Sequence, residues 1–211
     1  MADQPRQLTA PSHAAAHLLQ YHDLIESIVS ALDARDTYTA SHSNRVAEMV
    51  LVLAAALGLG PDETTLIHIA AHLHDIGKIA VPDAVLRKAG PLTADEWQEM
   101  RRHPVTGYNI LRRVADFQDI AVLVLHHHER WDGQGYPDGL SGADIPLGSR
   151  IIAVADSIDA MMSSRSYRAA MTGAACRCEI EKNSGIMYDP RVASAALAHW
   201  DTLISRYTAD T

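Results

Sequence analysis

Nowhere along the 211 residues do apolar and polar side chains alternate with a sustained period of two. Runs of Val, Ile and Thr bounded by turn residues are absent as well. Such patterns are what a half-buried strand requires, so the chain is restricted to an all-α fold. Apolar residues recur instead at helical spacing, punctuated by caps and breakers. A first helix is predicted from a Ser12 cap to about Ala34, with a seam of Leu18, Tyr21, Ile25, Ile28 and Leu32. That seam covers only about two heptads, so packing on its own domain and pairing as a dimer or signalling helix both stay open. Further helices are predicted from Ser41 to Leu57 with Gly58 past its end, and from Pro61 to His74 or Asp75. Thr93 and Glu96 form a capping box for a helix reaching Arg102. Others are expected over about Pro104–Val114, from Phe117 into a histidine run, over Ser149–Met162, and over Arg191–Tyr207. The segment Ala169–Tyr188 gives no clear signal.

About half of the residues are apolar and only one is Phe, so the core must be aliphatic. A formal net charge of −8 argues against a nucleic-acid polymer as partner, since that requires a basic footprint. It leaves room for an anionic small molecule held by a few local cations. Cys176 and Cys178, one residue apart, suit neither a disulfide nor a structural zinc, and read as reduced thiols of a cytoplasmic protein. No leader is visible in Met1–Ala10, and the longest apolar run, Met49–Leu59, is too short for a span of about 20 residues.

The chemistry sits in polar groups that a bare aliphatic core would reject. The stretch LIHIAAHLHDIGK (Leu66–Lys78) carries His68, His72, His74 and Asp75 on an apolar helix. RIIAVADSIDAMM (Arg150–Met162) carries Asp156 and Asp159 on one face. An ionised carboxylate among Ile, Ala and Met is strongly disfavoured unless it is paired or binds a cation. Twelve histidines, three of them consecutive at His126–His128, point to a shared transition-type cation, because imidazole and carboxylate suit Fe, Mn or Zn. Adjacent residues on a helix diverge by about 100°, yet at a fraying end both can face one site. That accounts for His74 with Asp75, and for His127 with His128. A rival constellation of His68, His72 and Asp75 shares the spacing i, i+4, i+7. His13, His17, His22 and His199 read as surface or packing residues.

The motifs HDIGK (His74–Lys78), HP (His103–Pro104) and HHERWDGQGYP (His127–Pro137) resemble the HD-GYP branch of the HD phosphohydrolases. The flanks RDTYTASHSNRVA (Arg35–Ala47), IPLGSRIIAVADSIDAM (Ile145–Met161), RSYR (Arg165–Arg168) and YDP (Tyr188–Pro190) agree, so the likeness runs from about Leu24 to His199. The resemblance implies an HD-domain helical bundle over residues 21–207, with a flexible stretch and helix start over 1–20 and a GYP loop. It implies a metal-dependent phosphodiesterase that opens cyclic di-GMP to pGpG, GMP or both. The implied metal ligands are His42, His74, Asp75, His103, His127, His128 and Asp156, with Asp75 bridging. Tyr38 stands where some members carry a glutamate that helps to hold a third ion, so two ions, iron or manganese among the candidates, are expected rather than three.

By the same resemblance Lys78 contacts the scissile phosphate, and Asp75 and Lys78 form the catalytic pair. Arg165 and Arg168 match basic phosphate contacts, for which a guanidinium fork is well shaped; a solvated surface is their plain alternative. Tyr136, in a loop with Gly133, Gly135 and Gly139, would stack on the substrate or donate to it, or the loop would simply orient His127 and His128. Other cyclic dinucleotides remain alternative substrates. A catalytically silent module that binds a ligand, a diguanylate cyclase or a response regulator is the alternative from another class. Homodimerisation through the N-terminal helix is a further expectation.

Overall fold

The computed structural model describes residues 20–33, 35, 42–164 and 169–208. Helices account for the described architecture: α1 (His22–Asp33), α2 (His42–Ala56), α3 (Pro61–Leu73), α4 (Asp83–Leu86), α5 (Ala94–Met100), α6 (His103–Leu111), α7 (Gln118–Leu125), α8 (Leu147–Met162), α9 (Gly173–Lys182), α10 (Pro190–Ala198) and α11 (Trp200–Thr208). Short 3-10 turns lie at Ile76–Ala80, Ala115–Phe117 and Gly142–Asp144. Among the described residues there is no strand, only an isolated bridge between Ser184 and Tyr188.

The core is aliphatic, as composition requires. Val46, Val50 and Leu53 of α2, Ile67 and Ile69 of α3, Ile120 and Val124 of α7, and Ile151, Ile152 and Ile158 of α8 are fully enclosed. Each such side chain contributes about 1.5–3 kcal/mol over its exposed state. α2 packs on α3 and α8, and α3 packs on α7, which brings the start of α2, the end of α3 and the middle of α8 around one point. Pro61 opens α3 at its first turn, and Thr93 and Glu96 close both arms of a capping box on α5. Pro61 removes one N–H that a helix start would leave bare, and the capping box pairs two others.

Several expectations are refined. α3 ends at Leu73 and passes into the 3-10 turn, because Gly77 must lie against the start of α6: a Cβ there would stand 1.9 Å from the His103 carbonyl oxygen. The helix expected over Arg191–Tyr207 breaks at His199 into α10 and α11. The unassigned segment contains α9, capped by Thr172. Of the N-terminal seam, Ile25 is buried and Tyr21 and Leu32 pack on the core, but Ile28 is 44% exposed and Leu24 beside it 58% exposed. Val29 takes the inward position, as a 3.6-residue period demands. Leu18, Tyr38, Arg165, Arg168, His13 and His17 lie outside the described residues. Among the described residues no helix is long and apolar enough to cross a membrane.

Candidate metal centre

Each buried histidine ring at the focus of the helices is oriented through its Nδ1. His74 Nδ1–H donates to the Ala71 carbonyl at 2.7 Å, His103 to Met100 at 2.8 Å, and His127 to Val124 at 2.6 Å. All three acceptors lie three residues upstream, which is where a helix end leaves a carbonyl bare. His42, the first residue of α2, donates instead to the carboxylate of Asp159 at 2.6 Å. Fixing the Nδ1 proton leaves Nε2 as a lone pair aimed inward, the arrangement that outer partners impose on metal-binding imidazoles.

Those inward nitrogens then meet at distances that need a positive charge between them. His42 Nε2 and His74 Nε2 are 3.3 Å apart, and so are His103 Nε2 and His127 Nε2. Two imidazole nitrogens bound to one ion at about 2.0–2.1 Å stand about 3.3–3.4 Å apart in tetrahedral geometry. Asp75 lies between the two pairs. Its Oδ2 is 3.4 Å from His74 Nε2 and 3.8 Å from His42 Nε2, whereas its Oδ1 is 3.4 Å from His103 Nε2. Asp156 Oδ1 joins the first set, 3.4 Å from His42 Nε2. His128 joins the second, its ring 4.0 Å from that of His127 and 5.0 Å from that of His103. Ligand atoms of His42, His74 and Asp75 fall within 4.8 Å of one another, as do those of His103, His127 and His128.

Electrostatics agree with the geometry. Burial drives His127 and His128 well below the ordinary histidine range and His103 down to about 4, so these rings are neutral donors of lone pairs. Burial also opposes ionisation of Asp75, but Lys78, His74 and His103 outweigh it and hold the carboxyl well below its usual value. Burial works against a proton on His74 too, yet Asp75 and Asp156 push its pKa up to about 9. The focus of the site therefore demands positive charge. The donor set, imidazole and carboxylate with no thiolate, fits divalent transition ions.

The expected residues His42, His74, Asp75, His103, His127, His128 and Asp156 thus converge. Lys78 points at the same place, its Nζ 2.6 Å from Asp75 Oδ2. Tyr136 stacks on His128 with centroids 4.9 Å apart, and the Arg101 guanidinium lies over the Tyr136 ring, 5.3 Å from its centroid. Asp156, Lys78, His128 and Tyr136 are part-exposed and form the open side of the cluster. The rival set breaks up: His68 and His72 turn toward α1, while Asp75 turns inward.

Sequence reasoning left three supports without an assigned role. Asp159, noted as anomalous but given no role, is 1% exposed and binds His42, Arg45 and the Tyr207 hydroxyl. Glu129 is buried and its Oε1 accepts from the Asp138 and Gly139 amides at 2.8 and 3.1 Å, which ties down the glycine-rich loop. The same loop requires Gly135, where a Cβ would stand 2.4 Å from the Arg130 amide nitrogen. The Tyr136–Pro137 bond in it is cis. Arg35 clamps the 3-10 turn after Asp75, donating to the Ile79 and Val81 carbonyls at 2.6 and 2.7 Å. Only the buried carboxylates gave a signal in the sequence; the partners of Arg35 and Tyr207 are set by tertiary contact alone.

The family described as HD domain matches residues 23–192. The chain is 43% identical over 177 residues to the cyclic di-GMP phosphodiesterase response regulator RpfG of Xanthomonas campestris, covering 83% of this chain and 47% of that protein. It is 39% identical over 185 residues to 3'3'-cGAMP-specific phosphodiesterase 2 of Vibrio cholerae, covering 87% of this chain and 35% of that protein. The chain therefore spans about half or less of the length of these curated relatives. Among solved structures, Bd1817, a HDG"Y"P protein from Bdellovibrio bacteriovorus, shares the fold with a TM-score of 0.65 at 18% identity, over 89% of this chain and 61% of that one. The family match runs over most of the chain and a relative 43% identical covers 83% of it: this chain belongs to the HD-domain family.

Proposed function

We infer that the chain hydrolyses phosphodiester bonds of a cyclic dinucleotide, cyclic di-GMP foremost, with two divalent transition ions such as iron or manganese. The observation that carries this reading is Asp75, whose two oxygens face two separate imidazole sets. One ion is assigned to His42, His74, Asp75 and Asp156, the other to Asp75, His103, His127 and His128. When bound, such a pair acidifies water and neutralises charge growing on the phosphoryl oxygens of an in-line displacement.

The chain's own groups do the rest. Asp159 and the three backbone carbonyls hold the rings in one tautomer, so no reorganisation is needed as charge develops. Lys78 stands at the open side and presents an ammonium to the phosphate. Tyr136 keeps its phenol proton, since burial and the nearby carboxylates raise its pKa, and presents a ring face or a hydroxyl donor to a base or phosphate. Arg165 and Arg168, three and six residues past the end of α8, are assigned to the second phosphate of the substrate. The name of the Vibrio cholerae relative favours 3'3'-cGAMP as a second substrate to test.

The test is turnover of cyclic di-GMP and 3'3'-cGAMP by metal-reconstituted protein, with products resolved as linear dinucleotide or mononucleotide, beside an Asp75→Ala control. Hydrolysis lost in the control supports the reading. Tight binding without hydrolysis would make the chain a silent ligand-binding module instead.

A further inference from the structure

A second imidazole cluster lies apart from this centre. His68 and His72 are one turn apart on α3, and His22 reaches them from the first residue of α1. The rings of His68 and His72 meet edge to face with centroids 4.7 Å apart; His22 stacks on His68 at 5.6 Å and meets His72 edge-on at 5.1 Å. His68 Nδ1–H donates to the Ala47 carbonyl at 3.1 Å, which leaves its Nε2 a bare lone pair. His72 Nε2 lies 3.3 Å from that atom, and His72 Nδ1 is buried with no hydrogen-bond partner in a residue only 4% exposed.

No tautomer of His72 serves both of its nitrogens. With the proton on Nε2, it donates to His68 and leaves Nδ1 as a bare acceptor in the interior. With the proton on Nδ1, two lone pairs confront each other at 3.3 Å and the N–H is unpaired. An ion held by both Nε2 lone pairs relieves that confrontation, with the His72 proton left on Nδ1. The 3.3 Å separation is again the edge that two imidazoles make on a tetrahedral ion. Two histidines four apart on one helix face are a recurrent way of making that edge.

We propose that His22, His68 and His72 form a second metal site, for a zinc-type divalent ion, that clips α1 to α3. One ligand atom from each of the three falls within 4.8 Å of the others. Three imidazoles without a thiolate suit zinc, nickel or copper better than magnesium or calcium. The fourth position is left to water. His22 is part-exposed, which gives the ion a way in from solvent. The ion would fix α1 against the helix whose end delivers His74 and Asp75, without touching the phosphodiester.

The experiment counts ions in an Asp75→Ala background, which weakens the other centre, so its outcome does not depend on whether the chain is a hydrolase. Chelator-stripped protein is reloaded with Co²⁺ or Zn²⁺, desalted and analysed for metal per chain, with thermal unfolding before and after. The proposal expects about one equivalent fewer in His68→Gln, affinity lowered at least about tenfold in His22→Ala, and a zinc-induced rise in Tm that both variants lose. Equal metal content and equal Tm rise in His22→Ala and its parent would overturn it. Because His22 is part-exposed at a helix start, that variant decides the matter even where His68→Gln does not fold.

Discussion

Replacing Asp159 with asparagine removes one negative charge from the most crowded polar node in the protein. The carboxylate is buried on α8 and accepts from His42 Nδ1 at 2.6 Å, from Arg45 Nε at 2.5 Å and Nη2 at 3.1 Å, and from the Tyr207 hydroxyl. Asparagine keeps the shape but offers one acceptor oxygen and turns an amide N–H₂ toward donors. Removing one partner of a buried ion pair costs about 3–5 kcal/mol. Arg45 keeps some contact with solvent, which places the cost near the lower end, about 3 kcal/mol. For a chain of this size that lowers Tm by about 6–12 °C. His42 would also lose the partner that fixes its tautomer, which weakens metal retention by about 10–100-fold. The pH dependence has a definite sign. Burial opposes ionisation of Asp159, but His42, Arg45 and Tyr207 hold its pKa well below the usual carboxylate range. Its contribution is therefore complete above the unfolded value of about 3.9 and is lost as pH falls through the folded one. Thermal unfolding of both proteins from neutral pH downward should show a constant gap that closes only in acid below about pH 4. A variant that matches the parent in Tm and metal retention at pH 7 would refute this role for Asp159.

Other substitutions probe separate parts of the account. Gly77→Ala places a Cβ 1.9 Å from the His103 carbonyl oxygen and 2.6 Å from the Gly107 nitrogen, both backbone atoms; it should cost about 3 kcal/mol and displace His103, read as lower Tm with lower metal content. Thr93→Ala removes a capping box remote from the centre; it should lower stability by about 1 kcal/mol in denaturant titration and leave turnover unchanged. Lys78→Met should reduce kcat/KM for a cyclic dinucleotide by about 100-fold while metal per chain stays constant, as the role proposed for the ammonium at the phosphate requires. Glu129→Ala deprives the Asp138 and Gly139 amides of their acceptor and should loosen the loop, read as faster amide exchange there than in α8.

What could be read in advance follows from where the information lies. Helix starts at Pro61 and Thr93 are local chemistry, and the structure keeps them. The all-α class followed from periodicity, which is also local. The 3-10 turn after Asp75 and the break at His199 depend on what packs against them, as the 1.9 Å approach at Gly77 shows. The same distinction divides the site. Buried charge in apolar helices marked Asp75, Asp156 and Asp159 as anomalous, but periodicity alone put Asp156 and Asp159 on one face without separating them. The fold gives Asp156 to the cluster and Asp159 to the far side of His42. Likewise, i, i+4, i+7 spacing grouped His68 and His72 with Asp75, whereas the end of α3 sends Asp75 inward and leaves the two histidines to His22. Resemblance to the family selected the converging residues; the tautomer-fixing carbonyls explain why they suit the task.

The central claim is that seven side chains from five regions of the chain hold two ions astride Asp75. Anomalous scattering from crystals of the iron- or manganese-loaded protein tests it most directly. The account predicts two peaks about 3.5–4 Å apart, one beside His42, His74 and Asp156, the other beside His103, His127 and His128, each within bonding distance of a different Asp75 oxygen. No density between these residues in protein that retains metal, or a lone peak not shared by Asp75, would contradict it.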